Sequence, residues 1–125
     1  MKIGFIGLGN VGGKLANNLL KNKYKLVVRD LDPKLSKIFS KKGAIVANSA
    51  KELARECDVI ITCLPSPKIC KKVMTSKNGV LRGLSKNKVW LEMSTTDQFE
   101  VKKIGLMVKK KGAYALDVPV SGGCH

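Results

Sequence analysis

The chain has 125 residues, enough for one domain that buries most of its apolar surface in a single core. Its 44% hydrophobic content is ordinary for a soluble fold, and no apolar run approaches the ~20 residues that span a bilayer. The net charge of +15 raises nucleic acid as a partner, yet only three of the 24 basic residues (Arg29, Arg55, Arg82) are arginine, and the few aromatics form no stacking pattern. The excess charge therefore reads as lysine-rich, solvated helix faces.

Apolar runs of strand length alternate with stretches of helical period. Residues 2–7, KIGFIG, predict a first strand, and residues 10–21 a helix with Val11, Leu15 and Leu19 on one face. Residues 25–29, KLVVR, predict the second strand. Asp32-Pro33 reads as an N-cap with proline at the first helical position, opening a helix that runs to about Lys42 before Gly43. AIVA is a short third strand, and Ser49 to Glu52 fits a capping box for a helix ending near Glu56. DVIITCL, residues 58–64, is apolar on both faces and so belongs at the centre of a sheet. Pro65 and Pro67 end it, a helix runs to about Thr75, and Asn78-Gly79 marks a turn. KVWLEM, residues 88–93, is a fifth strand. Asp97 to Lys111 predicts a long helix with Val101, Ile104 and Val108 inward and Gly112 closing it. YALDV, residues 114–118, is the sixth strand. The alternation predicts a single α/β domain with a doubly wound, mainly parallel sheet.

No leader resembling a signal peptide opens the chain, which places the expected compartment in the cytoplasm. Cys57 and Cys63 read as small core residues. Cys124-His125 could be called a metal or nucleophile pair, but two adjacent residues at the chain end read as neither; with no CxxC and no other histidine, no metal site is expected.

Gly7-x-Gly9-x-x-Gly12 follows a predicted strand and opens a predicted helix. Gly7 suits the tight turn, Gly9 lets backbone approach a pyrophosphate, and Gly12 permits close packing of helix on strand. Leu8, Asn10 and Val11 complete this loop, whose helix end favours an anion. Asp30 ends the second strand 18 residues after Gly12, near the ~20-residue offset of a ribose-binding acid. A carboxylate there accepts from both ribose hydroxyls and repels a 2′-phosphate. NAD is thus favoured over NADP. Arg29 precedes Asp30 and by strand alternation points to the other face. The bland alternative is a structural glycine turn beside a surface aspartate.

Together these residues resemble the β-hydroxyacid dehydrogenases, of the 3-hydroxyisobutyrate dehydrogenase type. IGFIGLGNVGGKLANNLLK, DVIITCLP, LEMSTTD and LDVPVSGG resemble four of that family's motifs, in order, across the whole chain. The resemblance implies an oxidoreductase that passes hydride between NAD or NADP and a small β-hydroxyacid. It implies that Leu64 and Pro65 line the adenosine side of the cofactor and that Thr95 contacts it near the nicotinamide. Ser121, Gly122 and Gly123 would hold the substrate carboxylate. Equally, Leu64-Pro65 would simply end a strand, and Ser94-Thr95 would cap the following helix. Ile69 departs from the family, where a polar residue is common.

In that family a large helical domain follows the SGG motif, supplies the catalytic lysine and completes a dimer. No lysine lies beyond Lys111 here, so the chain reads as residues 1–125 of a dinucleotide-binding domain without its helical partner, with no catalytic residue of its own. A homo-oligomer remains open. The competing readings are a non-enzymatic NAD(P)-binding or sensing module and a basic, nucleic-acid-associated protein that reuses the fold.

Overall fold

The computed structural model describes residues 1–94 and 97–118. Six strands and five α-helices alternate: β1 (Lys2–Ile6), α1 (Asn10–Lys21), β2 (Lys25–Arg29), α2 (Pro33–Lys41), β3 (Ile45–Val46), α3 (Ala50–Glu56), β4 (Val59–Thr62), α4 (Pro67–Thr75), β5 (Val89–Glu92), α5 (Gln98–Lys110) and β6 (Tyr114–Asp117). A 3-10 turn at Val80–Arg82 has no counterpart in the sequence reading. Its Val80 and Leu81 are buried, so this segment closes the core beneath α3 and α4. Each predicted strand exists; β2 has the predicted bounds, and the other five are shorter than their predicted runs. Gly7, Cys63, Leu64 and Met93 lie past the strand ends, where Gly7, Cys63 and Met93 each still donate an amide to the neighbouring strand.

All strand pairs are parallel, in the order β3-β2-β1-β4-β5-β6. The chain turns outward in one direction from β1 and in the other from β4, so the sheet is a doubly wound, Rossmann-like one. Alternation along the strands builds two cores. Phe5, Val28 and Ile61 share one face, where Ala16 of α1 and Phe39 of α2 cover them. Val27, Ile60 and Trp90 share the other, beneath Leu53 of α3, Met74 of α4 and Ile104 of α5. β4 sits between β1 and β5, as its two-faced apolarity requires.

Local signals set the helix starts. Asp32 accepts from the Lys34 amide at 3.0 Å, with Pro33 at the first helical position. Ser49 Oγ accepts from the Glu52 amide at 3.0 Å, and Ser66 Oγ from the Ile69 amide at 3.2 Å. Asp97 caps α5 by accepting from Phe99. Ser94 does not cap that helix, because its hydroxyl faces back into the core. Lys88 closes α3 from the far end. Its Nζ donates to the carbonyls of Ala54 and Arg55, at 2.6 and 2.5 Å.

Candidate dinucleotide-binding site

Because β1 and β4 are neighbours at the switch point, their carboxyl ends open into one crevice. A cavity of about 330 Å³ lies there. Gly7, Gly9, Asn10, Val11 and Gly12 line it from the glycine loop, Asp30 from the end of β2, and Leu64 and Pro65 from the end of β4. Eight of the residues singled out in the sequence therefore meet in one place.

Each glycine does a different job. Gly7 has φ of +103°, and a Cβ there would lie 2.1 Å from the Cys63 carbonyl oxygen. A Cβ on Gly12 would lie 2.0 Å from the Gly7 carbonyl oxygen, so α1 starts in contact with the turn below it. A Cβ on Gly9 would meet nothing within 4 Å. The missing side chain at Gly9 thus leaves space on the cavity side, whereas at Gly7 and Gly12 it permits backbone packing. α1 is also the one α-helix, among the described residues, whose N-cap side chain makes no capping bond, and its first turn holds no acid. Its first amides and dipole end are left for an anion from outside the chain.

Leu8 takes a different place from its neighbours. Its side chain is buried in the core, and its amide donates to Asp30 Oδ2 at 2.6 Å. The second oxygen, Oδ1, accepts from the Asp32 amide at 2.8 Å. The carboxylate thereby ties the glycine loop to the end of β2. Carboxylate oxygens offer about four lone-pair sites in all, so two backbone amides leave capacity for further donors.

Arg29 shares the sheet face of Val27, as strand alternation requires, and also borders the cavity beside Asp30. Its guanidinium is nevertheless committed elsewhere, donating to the carbonyls of Ala47 and Asn48 at 3.2 and 2.8 Å. Leu31, the other neighbour of Asp30, is exposed and uncharged.

Among the residues that the sequence did not assign to the cavity are Ala50 from α3 and Ile69 and Val73 from α4. They form an apolar wall suited to a flat aromatic ring. Ile69, a departure from the resembled family, lies on this wall. The signal was present as an i, i+4 apolar pair on α4, which by itself reads as core packing. Thr95, Ser121, Gly122 and Gly123 lie outside the described residues, as does the Cys124-His125 pair. Among the described residues no cluster of ligands suited to a metal occurs, and no helix is long and apolar enough to cross a membrane.

Below the cavity runs a chain of buried polar groups. Glu92, fully buried on β5, accepts at Oε2 from Thr62 Oγ1 at 3.0 Å and from Cys70 Sγ at 2.9 Å. Its Oε1 accepts from the Ser94 amide at 2.5 Å, and Ser94 Oγ accepts from the Leu64 amide at 2.5 Å. Trp90 Nε1 donates to Thr62 Oγ1 at 3.0 Å. Burial, with Glu92 beside it, pushes the Cys70 thiol well above its ordinary range. The thiol is held as a donor. This network was invisible in the sequence, where Glu92 and Ser94 are two polar letters in an apolar strand end.

A 3-2-1-4-5-6 parallel sheet with an open glycine loop at its switch point defines a dinucleotide-binding domain. Residues 2–125 match the family described as the NAD binding domain of 6-phosphogluconate dehydrogenase, and the chain belongs to that family. The mitochondrial 3-hydroxyisobutyrate dehydrogenase of Mus musculus is 41% identical over 121 residues, covering 97% of this chain and 36% of the mouse protein. The cytokine-like nuclear factor N-PAC of Pongo abelii is 33% identical over 121 residues, 97% of this chain and 22% of that protein. A solved structure of Mycobacterium tuberculosis 3-hydroxyisobutyrate dehydrogenase with L-serine superposes with a TM-score of 0.88 at 29% identity. It covers 98% of this chain and 41% of that one. The chain thus spans little more than a third of the mouse relative's length.

Proposed function

We propose that these 125 residues are the cofactor domain of an oxidoreductase that transfers hydride between NAD and a small β-hydroxyacid such as 3-hydroxyisobutyrate. The observation that carries this reading is the convergence of the open Gly9 position, the uncapped start of α1 and Asp30 on one cavity. The loop and the helix end would hold the pyrophosphate, and Asp30 the adenosine ribose. Leu64, Pro65, Ile69 and Val73 would pack on the adenosine side. The nicotinamide supplies the hydride chemistry when the cofactor is bound. Thr95 near the nicotinamide, and Ser121, Gly122 and Gly123 at the substrate carboxylate, complete the proposed site. The similarity to 3-hydroxyisobutyrate dehydrogenases supports the substrate class.

NAD is favoured over NADP because the Asp30 carboxylate would accept from ribose hydroxyls and repel a 2′-phosphate. The neighbouring Arg29 is spent on two backbone carbonyls. Alcohol oxidation also needs an acceptor for the hydroxyl proton. The charged groups among the described lining residues are Arg29, Asp30 and Asp32. All three cluster at the ribose end, and each is bonded to backbone. None of the three is free to take the hydroxyl proton, in keeping with the catalytic lysine that the family resemblance implies outside this cavity.

Calorimetric titration of the chain with NAD and with NADP tests the reading. Saturable NAD binding that exceeds NADP binding is expected. A folded chain that takes up neither would overturn it. The similarity to a nuclear factor, N-PAC, is what motivates a second reading, a basic nucleic-acid-associated protein that reuses the fold. Salt-dependent association with DNA would support it, and no association at low salt would exclude it.

A further inference from the structure

We propose that Glu92 is a positioning residue for the cofactor cleft: through Ser94 it holds the strand-end loops after β4 and β5 in a fixed relation. The inference rests on the dinucleotide reading of the cavity, and it concerns residues that do not line that cavity themselves.

Glu92 is the last residue of β5, fully buried, with three neutral donors aimed at it: a hydroxyl, a thiol and an amide. A buried carboxyl group is expensive to keep unless its oxygens are satisfied. An apolar residue would fill a strand end beneath a helix at lower cost, so its presence calls for a reason beyond packing. The arrangement of the donors supplies one. Thr62 is the last residue of β4, Cys70 lies in the first turns of α4, and Ser94 follows β5. One side chain therefore gathers both strand ends and the helix that carries the apolar wall.

Ser94 extends the link to the cleft. Its amide is held by Glu92, which orients its hydroxyl to accept from Leu64, a residue of the cavity wall. Leu64 is thus placed by a residue 30 positions away in sequence rather than by the β4 ladder, which it has already left. The next residue along the chain from Ser94 is Thr95, the proposed nicotinamide contact. A shift of the Glu92 carboxyl would move Ser94 and, through it, the cavity wall at Leu64. A site that must be held to within about half an ångström needs such a supporting layer.

The test uses Ser94→Ala, Ser94→Thr and Glu92→Gln, with Val108→Ala as a core variant remote from the cleft. Amide hydrogen exchange is read at Leu64 and Ser94, and NAD affinity by calorimetry. Ser94→Ala is expected to lose protection at Leu64 and to weaken NAD binding roughly tenfold, one positioning contact's worth. Ser94→Thr, which keeps the hydroxyl, is expected to restore both. Glu92→Gln replaces one acceptor oxygen by a donor and is expected to lower protection at both amides. Val108→Ala is expected to lower the melting temperature and leave NAD affinity unchanged. Unchanged Leu64 exchange in Ser94→Ala would overturn the proposal. So would lost protection in a folded variant whose NAD affinity equals that of the parent chain. If Glu92→Gln does not fold, the two Ser94 variants decide. If the parent chain binds no NAD, the dinucleotide reading fails first, and the link from Glu92 to Leu64 is still decided by exchange.

Discussion

The amide of Leu8 and the carboxylate of Asp30 are joined by a 2.6 Å hydrogen bond across 22 residues of sequence. This bond closes the βαβ unit at its ligand end. It means that Asp30 has two tasks, to fix the glycine loop and to present acceptor capacity to the cavity. Charge-assisted bonds of this kind are stronger than neutral ones.

Asp30→Asn is therefore expected to weaken NAD binding by about tenfold, or 1.4 kcal/mol, and to narrow the gap between NAD and NADP. The amide oxygen can still accept from Leu8, so the loop stays tethered while the repulsion of a 2′-phosphate falls. Paired titrations of parent and variant with both cofactors measure this. A parent chain that binds NADP more tightly than NAD would show that the role given to Asp30 is wrong.

Gly9 and Gly12 are expected to separate binding from folding. Gly9→Val has open space for its side chain, so the variant should melt near the parent temperature and lose NAD binding. Gly12→Val puts a Cβ 2.0 Å from the Gly7 carbonyl oxygen, and backbone cannot yield as a side chain can. That variant should be destabilised by several kcal/mol, as severe overpacking allows. Thermal melts beside calorimetry distinguish the two. Full NAD affinity in folded Gly9→Val would end the dinucleotide reading.

The chain as given is expected to bind NAD and to sustain no oxidation of 3-hydroxyisobutyrate. The glycine loop and helix end supply binding, whereas the described cavity offers no free proton acceptor. The measurement is NADH absorbance at high protein concentration. Sustained, cofactor-dependent turnover would contradict the assignment and turn attention to Asp117 and Lys68, both exposed.

Stability is expected to fall in alkali through Cys57. Burial, with Glu56 beside it, raises this thiol from 9.0 to about 11. The unfolded chain then loses the proton before the folded one does. The contribution is complete below pH 9 and is lost as pH rises through about 11, by at most ~1.4 kcal/mol per pH unit. Lys88, lowered by desolvation, acts in the opposite direction. A comparison with Cys57→Ala isolates the thiol. The variant is less stable at neutral pH because of its cavity, and its deficit should shrink between pH 9 and 11. A deficit that stays constant in denaturant titrations across that range would refute the role of the thiol.

Sequence alone determined the features that depend on near neighbours. Asp32-Pro33 and Ser49 started helices where they were expected, since a capping side chain reaches only two or three residues along the chain. The two-faced apolarity of residues 58–64 placed β4 at the centre of the sheet. The glycine spacing placed the turn and the open Gly9 position, because those demands are steric and local. What the tertiary structure decided are relations between strand ends. Arg29 turns to the carbonyls of Ala47 and Asn48, Ile69 joins the cavity wall, and Glu92 reaches Leu64 through Ser94. Each depends on which strands lie side by side and where each ladder stops. The switch point between β1 and β4 brings together residues tens of positions apart, and no periodicity in the chain encodes that meeting.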